Sequence, residues 1–159
     1  MSTDYRTPQQ TWRNYRVAHG ALIEDGHILL VGNAWNGTGP LIWSLPGGRA
    51  EDGEPLPATL VREFREETGL DVEIGPLLYV AEAQAPSLRQ HFLTCAFAVR
   101  RTGGTLAALD AVVRDVRFVP LADLPTYLTT PSLGAPLAHW LAHPTDPARY
   151  WLFPDYLQK

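Results

Sequence analysis

The chain has little cysteine, no excess of basic residues and no long apolar run, and each shortage excludes a class of protein. Its single cysteine, Cys95, excludes an internal disulfide framework and is compatible with a reducing compartment. Thirteen Lys and Arg against 17 Asp and Glu argue against a broad basic surface for nucleic acid. No stretch approaches the roughly 20 apolar residues of a membrane span, and residues 1–10 lack the apolar centre of a signal peptide. We therefore expect a soluble, cytoplasmic protein that binds neither nucleic acid nor membranes.

Enough apolar sequence is present to build one globular domain. The chain has 159 residues, of which 45% are hydrophobic and 10% aromatic, and a chain of this length buries about 68 to 70% of its unfolded surface on folding. We expect a single domain over residues 1–159, with residues 1–13 as an N-terminal extension. Residues 144–159 include Tyr150, Trp151, Phe153 and Tyr156. Because four aromatic rings in water would form an apolar patch, we expect this tail to dock on the body.

Hydrophobic periodicity and turn residues predict a mixture of strands and helices. A turn at Asp25 and Gly26 joins two β-rich runs as a hairpin, and residues 102–104 are expected to turn the chain toward a short run at 105–106. The predicted strands are Tyr15–Ile23, Ile28–Val31, Leu41–Leu45, Leu77–Ala83, His91–Arg100 and Val116–Val119, and the predicted helices are Pro55–Thr68 and Leu133–His143. Without a regular βαβ alternation, this order indicates an α+β fold or a sandwich with a mixed sheet.

The first predicted helix has clear end signals and an apolar stripe. Pro55 suits the first helical position, and Gly69 suits the position just after the last turn. At 100° per residue, four side chains fall on one arc that can pack against a sheet. They are Leu60, Val61, Phe64 and Thr68.

Three carboxylates lie on one face of the same helix. Glu66 and Glu67 follow Glu63 by three and four residues, and Arg62 precedes Glu66 by four and can orient it. Like charges at this spacing each cost roughly 0.2 to 0.5 kcal/mol, and a divalent cation would relieve the repulsion. Mg²⁺ is commonly held by carboxylates together with substrate phosphates, and glycines in the loop at 46–48 allow the backbone to approach a ligand. Loop and helix together predict a metal–phosphate site.

The segment Gly48–Leu70 resembles the Nudix box, G-x5-E-x7-R-E-U-x-E-E-x-G-U, in which U is a bulky apolar residue. Every defined position matches, namely Gly48, Glu54, Arg62, Glu63, Phe64, Glu66, Glu67, Gly69 and Leu70. The segments at 43–48 and 117–121 are also similar to family sequences, so the resemblance extends from Val17 to Leu124. It implies the Nudix α/β/α sandwich and an enzyme that hydrolyses a phosphoanhydride bond in a nucleoside diphosphate linked to another moiety.

The resemblance also implies a cofactor and residue roles. The cofactor would be Mg²⁺ or Mn²⁺, and its ligands would be Glu63, Glu66, Glu67 and the carbonyl group of Gly48. Arg62 would orient a catalytic carboxylate, and Glu54 would support the loop or the water shell of the metal. Glu63 and Glu66 are therefore expected to act in catalysis as well as in metal binding. The partner would be a small nucleotide, and a homodimer is compatible with the resemblance.

The general base and the substrate contacts are less closely defined. Because the family uses either a glutamate of the box or an acid from a later loop, we assign the base to Glu63, with Asp110 as the alternative. Trp35, in a loop rich in glycine and asparagine, is a candidate platform for a nucleobase. Arg89, at the start of a predicted strand, is a candidate phosphate contact, although an exposed arginine without that role is the simpler interpretation.

The sequence is compatible with four interpretations of the function, which we rank. Pro86 lies 16 residues after Leu70, and this position resembles a proline found in the ADP-ribose subgroup, so ADP-ribose or a related sugar nucleotide is slightly favoured as substrate. The alternative is a nucleoside triphosphate pyrophosphohydrolase that removes modified nucleotides. A non-catalytic nucleotide-binding module is the third, but such a module is expected to have lost a glutamate of the box. An isoprenoid diphosphate isomerase ranks last, because neither Cys95 nor the intact box fits that reaction.

Overall fold

A computed structural model describes residues 11–34, 38–108 and 111–157 of the chain. Within these ranges the chain forms eight strands and three α-helices. In chain order the elements are β1 (Arg13–Glu24), β2 (His27–Asn33), β3 (Ile42–Ser44), β4 (Gly47–Arg49), α1 (Leu56–Thr68), β5 (Leu70–Ala85), β6 (Gln90–Gly104), β7 (Val113–Pro120), α2 (Leu124–Tyr127), α3 (Pro131–Ala142) and β8 (Arg149–Phe153).

The strands form one mixed sheet with β1 near its centre. The order is β3-β2-β1-β6-β5-β8, with β4 paired to β1 and β7 paired to β2. β1 runs parallel to β6 from Arg13 to Leu22 and meets β2 in a hairpin only at its carboxyl end, where Ile23 pairs with Ile28. That short hairpin contact leaves the middle of β1 free to pair with β4. The sheet therefore places the glycine-rich strand β4 directly beside β1.

Helices cover both faces of the sheet, and each face has its own apolar core. On one face α1 contributes Leu60 and Phe64, which pack against β1, β5 and β6. On the other face α3 contributes Leu137, which packs with Leu30 of β2 and Ala96 of β6. All five side chains are fully buried. Successive residues of β1 alternate between the two cores, as the two-residue period of a strand requires. The α+β class, the mixed sheet and the α/β/α layering expected from the sequence are confirmed.

Helix α1 differs from the prediction at its start and on its buried face. Pro55 has ψ of 144° and lies just before the helix instead of at its first position, whereas Gly69 ends the helix in the left-handed conformation with φ of 71°, as predicted. Thr59 is buried, and Val61, assigned to the apolar stripe, is 36% exposed. The predicted stripe therefore included Val61 where the structure buries Thr59. Thr59 can be buried because its hydroxyl group donates to the Pro55 carbonyl and to the Glu54 carboxylate.

Strand β6 contradicts the turn expected at residues 102–104. The strand continues to Gly104, where it pairs with Leu70, and residues 105–108 have no regular structure. The register between β5 and β6 shifts at three places, one of them between Asp71 and Val72, opposite Gly103. The long β5–β6 pair sets the position of Leu70, which follows Gly69 at the end of α1.

Among the helices that the structure describes, each is too short or too polar to span a membrane.

Candidate active site

The loop before α1 brings the backbone of Gly47 against the helix. Gly47 has φ of +141°, and an added Cβ would lie 2.0 Å from the Ala18 carbonyl oxygen. A side chain at this position is therefore excluded both by the backbone conformation and by space. The amide group of Gly47 donates a 2.8 Å hydrogen bond to Oε2 of Glu67. This contact fixes one carboxylate of the helix next to the loop, and Glu67 is only 8% exposed.

Gly48 makes room for a second carboxylate. A Cβ on Gly48 would lie 2.5 Å from both Cδ and Oε1 of Glu63. The absence of a side chain therefore permits the Glu63 carboxylate to lie directly over the β4 backbone. Because β4 pairs with β1 at Ala18 and His19, the central strand of the sheet determines where Gly47 and Gly48 lie. Two glutamates one helical turn apart thus contact two successive residues of the loop.

Arg62 links the remaining acidic residues into one network. Its Nε and Nη2 atoms donate to the two carboxylate oxygens of Glu54 at 3.0 and 2.9 Å, and its Nη1 atom donates to Glu63 and Glu66 at 3.0 Å each. Nη2 also donates to the backbone oxygen of Arg49 at 3.2 Å. A planar guanidinium with five N–H groups can satisfy this set of acceptors, whereas an ammonium group cannot. Arg62 therefore reduces the repulsion that the sequence predicts on this face.

Glu54 is held as a carboxylate by its surroundings. Hydrogen bonds from Arg62, from the Glu51 amide and from the Thr59 hydroxyl lower the pKa of Glu54 to about 2, with the Arg62 contact the largest cause. The hydrogen bonds and negative charges of Glu54 and Glu63, led by the Glu54 contact, raise the pKa of Arg62. Arg16 of β1 donates to the backbone oxygens of Glu51 and Glu54 at 3.1 and 3.3 Å. The loop is thus fastened to both α1 and β1, and Glu54 joins this loop to Arg62 of the helix.

The donor set fits a hard divalent cation. Carboxylate oxygens from Glu63, Glu66 and Glu67 and a backbone carbonyl are the ligands that Mg²⁺ and Mn²⁺ prefer. Within the described part of the chain, no three His, Cys, Asp or Glu side chains already converge on one metal-binding position. The reason is visible in the contacts, since Glu63 and Glu66 turn toward Arg62 and Glu67 turns toward the Gly47 amide. Glu66, with 49% of its side chain exposed, faces solvent most freely.

Of three further residues singled out in the sequence, the structure describes only Arg89. Trp35 and Asp110 lie outside the described residues. Arg89 is exposed in the turn between β5 and β6, with φ of 50°. The residue after Arg89, Gln90, pairs with Arg13, whereas Gly48 pairs with Ala18. These positions on β1 are about 16 Å apart at 3.3 Å per residue, so the fold does not place Arg89 beside the carboxylates.

Sequence reasoning missed two residues that position the site. Arg16 lies 35 or more residues before the carbonyl groups that it contacts, and no local pattern connects it to them. Thr59 carried a weak signal, because a hydroxyl residue in the first turns of a helix can bond to a nearby acceptor. Its position five residues after Glu54 was compatible with the 2.8 Å contact that the structure contains.

The comparisons with known proteins agree with this geometry. A family model described as the NUDIX domain matches residues 14–141, and the chain therefore belongs to the Nudix family. It is 34% identical to the ADP-ribose pyrophosphatase of Methanocaldococcus jannaschii over 67% of this chain and 62% of that protein. It is 35% identical to the mouse 8-oxo-dGDP phosphatase NUDT18 over 82% of this chain and 41% of that protein. The chain thus spans less than two thirds of the length of these relatives.

A solved structure supports the fold in particular. The NUDIX hydrolase from Nitrosomonas europaea superposes with a TM-score of 0.73, and the alignment covers 82% of this chain and 90% of that one. The two sequences are only 19% identical. A likeness at this level of identity establishes the shared fold and does not define the substrate.

Proposed function

We propose that the protein is a metal-dependent hydrolase that cleaves a phosphoanhydride bond in a nucleoside diphosphate derivative. The observation that carries the proposal is the network in which Arg62 binds Glu54, Glu63 and Glu66 while Glu67 is bound by the Gly47 amide. Purely structural carboxylates on a helix are commonly solvated and need no such shared arginine. Here the loop at 46–54 and one face of α1 hold four carboxylates in defined positions, those of Glu54, Glu63, Glu66 and Glu67.

Glu63, Glu66, Glu67 and the Gly48 carbonyl would hold Mg²⁺ or Mn²⁺. When bound, such a cation neutralises phosphate oxygens and polarises a water molecule. The chain's own contribution is orientation. Arg62 holds Glu63 and Glu66 at fixed angles, and Glu54 in turn fixes Arg62. An arginine that is already bound on both sides loses little further conformational freedom when substrate arrives.

Hydrolysis requires a base for the attacking water. In the proposed reaction the water oxygen forms a bond to phosphorus, the bond from phosphorus to the bridging oxygen breaks, and the bridging oxygen leaves with the second phosphate group. Glu63 is our first choice to accept the water proton, because its side chain is only 16% exposed and contacts both the loop and Arg62. Asp110 remains the alternative from a later loop.

We place ADP-ribose or a related sugar nucleotide ahead of nucleoside triphosphates. The support is the position of Pro86, which begins a short turn between β5 and β6, and the fact that one relative is named an ADP-ribose pyrophosphatase. A second relative is named for 8-oxo-dGDP, which is also a nucleoside diphosphate. A triphosphate pyrophosphohydrolase uses the same chemistry and differs in its products.

A substrate panel tests the proposal. The purified protein is incubated with sugar nucleotides, nucleoside diphosphates and triphosphates in Mg²⁺ or Mn²⁺, and mononucleotide, sugar phosphate, phosphate and pyrophosphate are measured. We expect ADP-ribose to give AMP and ribose 5-phosphate. Higher kcat/KM for triphosphates, with pyrophosphate released, would reverse the order of substrates and leave the chemistry intact.

The panel includes matched variants on the helix and away from it. Glu63→Gln and Glu67→Gln should each lower turnover at least about 100-fold, the lower end of what loss of a general base costs. Glu73→Gln removes an exposed carboxylate on β5 that pairs with Arg100, and it should retain the wild-type rate. Turnover that is insensitive to both helix variants would overturn the roles of Glu63 and Glu67. No turnover of any nucleotide by a protein that binds them would favour the non-catalytic binding module.

A further inference from the structure

An arginine and three aromatic rings form a second cluster next to the acidic network. The Tyr15 and Phe92 rings are stacked, with centroids 4.9 Å apart and an angle of 25° between their planes. The guanidinium carbon of Arg49 lies 3.9 Å from the Tyr15 centroid and 5.4 Å from that of Phe92. Tyr156, from the segment after β8, meets Phe92 edge to face at 6.0 Å. We call these four residues the aromatic cluster.

The backbone connects the aromatic cluster to the acidic network through Arg49. This residue follows Gly48, over which the Glu63 carboxylate lies, and its carbonyl accepts the hydrogen bond from Arg62. Because successive side chains of a strand point to opposite faces, the Arg49 side chain leaves β4 on the face opposite to Glu63. Arg49 pairs with Val17, two residues from Tyr15, which is about 7 Å along the strand. Tyr15 therefore lies close along the sheet to the end of β4 that carries Arg49.

The exposure of the cluster leaves one side open. Tyr15, Phe92 and Tyr156 are half-buried, whereas Arg49 is exposed. One face of its guanidinium covers Tyr15, and the rest of the group remains accessible. The amide of Tyr156 donates to the Gln84 carbonyl at 3.0 Å, which holds the C-terminal segment along β5. The C-terminal segment therefore supports the aromatic side of the cluster, and Arg49 is its exposed member.

We propose that Arg49, supported by Tyr15 and Phe92, binds the nucleobase of the substrate, while the phosphates lie at the carboxylates on the other face of β4. The inference rests on the proposed function, since it assigns one part of a nucleotide to one group of side chains. A nucleobase is planar and has a π-face. Any of the bases can therefore stack on a guanidinium group or on an aromatic ring. A sugar or a phosphate has no such face.

Binding of two probes separates base contacts from phosphate contacts. AMP contains a base, and ribose 5-phosphate has the same sugar and phosphate without it. We expect the wild-type protein to bind AMP more tightly than ribose 5-phosphate in calorimetric titrations. Arg49→Ala should weaken AMP binding at least about fivefold, the lower end of the cost of losing one stacking contact, and should leave ribose 5-phosphate binding unchanged.

Further variants distinguish stacking from charge and from folding. Arg49→Lys keeps the charge but not the planar group, so stacking predicts that it behaves like Arg49→Ala. Tyr15→Phe keeps the ring and should retain AMP binding, whereas Tyr15→Leu should weaken it. Arg65→Ala is the control, because Arg65 is an exposed arginine of α1 that pairs with Asp71. Thermal melting of each variant checks that the fold persists.

Several results would overturn the inference. They are equal affinity of the wild-type protein for AMP and ribose 5-phosphate, an Arg49→Ala variant that binds AMP normally, and restoration of binding by lysine, which would assign Arg49 to a phosphate. Failure of the base contact can be distinguished from failure of the proposed function. Nucleotide hydrolysis with a KM unaffected by Arg49→Ala would reject only the base contact, whereas base-dependent AMP binding without any hydrolysis would reject only the proposed enzyme.

Discussion

At the scale of single residues, Arg62 determines how the acidic face of α1 is arranged. Its guanidinium donates to Glu54, Glu63 and Glu66 and to the Arg49 carbonyl. Arg62 is thus the one group in these contacts that joins the three carboxylates to the loop. Precise placement of such groups matters more for turnover than for stability, because a small misplacement of a reacting group is costly.

The first prediction therefore concerns Arg62→Lys. The lysine keeps the charge but cannot bind both oxygens of Glu54 while reaching Glu63 and Glu66. We expect kcat/KM to fall about 10- to 100-fold, the usual effect of removing a residue that orients catalytic ligands. Arg65→Lys, on the same helix with 69% of its side chain exposed, should stay near the wild-type value. Equal activity of the two variants in a steady-state assay would contradict the role of Arg62.

His19 gives a prediction for pH dependence. Burial lowers the pKa of His19 to about 4 from its ordinary 6.5, so below pH 6.5 the unfolded chain binds a proton that the folded chain excludes. Stability is therefore complete above pH 6.5 and falls as the pH decreases toward 4. Between pH 7 and pH 4.5 the wild-type protein should lose about 2 kcal/mol more than His19→Asn, from the 1.36 kcal/mol that each pKa unit represents.

Urea unfolding at several pH values measures this difference. The control is His27→Asn, because His27 is exposed and its loss should leave the wild-type slope unchanged. Carboxylates with lowered pKa, such as Glu54, lose their contribution at lower pH and act equally in both variants. Parallel stability curves for His19→Asn and the wild-type protein would show that His19 does not cause the dependence.

Helical periodicity was sufficient to predict that Glu63, Glu66 and Glu67 share one face, because residues three and four apart are neighbours on any helix. The contact between Arg62 and Glu54 could not be found in this way. Glu54 lies in a loop, eight residues from Arg62, and its position depends on Arg16 and on β4. Contacts that pass through a loop depend on the tertiary fold and leave no local pattern.

At the scale of elements, the packing of α1 on β1 depends on a match between Gly20 and Phe64. Phe64 is fully buried, and a Cβ added to Gly20 would lie 2.5 Å from Cε2 of Phe64 and 3.0 Å from Cγ1 of Val99. The large ring on the helix thus occupies the space that the glycine leaves on the strand. This explains why a phenylalanine fits the apolar position of the box in this chain.

We expect Gly20→Ala to destabilise the protein by about 1 to 3 kcal/mol, the usual cost of overpacking a core. Phe64→Leu alone should also destabilise it, because it leaves a cavity. The double variant should recover at least half of the loss caused by Gly20→Ala, since leucine provides room for the new methyl group. Denaturant unfolding of the three variants measures the coupling, and strictly additive losses would contradict the match.

The boundaries of the elements show where prediction from sequence fails. Gly103 and Gly104 are typical of a turn, yet both continue β6, because they pair with Asp71 and Leu70. Of the two, Gly104 has the positive φ, +82°, that glycine readily adopts. Similarly, Val61 has the apolar character of a core residue, but the rotation of α1 is fixed by Leu60, Phe64 and the bound Glu67. Local preference yields when many long-range contacts favour another arrangement.

At the scale of the whole molecule, the C-terminal strand β8 extends the sheet and contacts both faces. β8 runs parallel to β5, with Trp151 paired to Ala81 and Phe153 to Ala83. Trp151 and Phe153 pack against the core on the α3 face, whereas Tyr150 on the other face donates to Glu82 at 2.5 Å. That hydrogen bond and one from His91 lower the pKa of Glu82. The aromatic residues of the tail thus alternate between core and surface.

The last prediction separates the side chains of β8 that pack on the core from those that face solvent. Trp151→Ala should lower the free energy of unfolding by about 2 kcal/mol or more, because removing a packed tryptophan costs up to about 5 kcal/mol. Leu152→Ala changes a neighbouring side chain that is 53% exposed, and it should cost less than about 0.5 kcal/mol. Truncation after Pro147 removes the whole of β8 and exposes the edge of β5. It should therefore lower the melting temperature or cause association. Melting curves and light scattering measure the two effects. A monodisperse truncated protein with unchanged melting would show that β8 contributes nothing to the stability of the sheet.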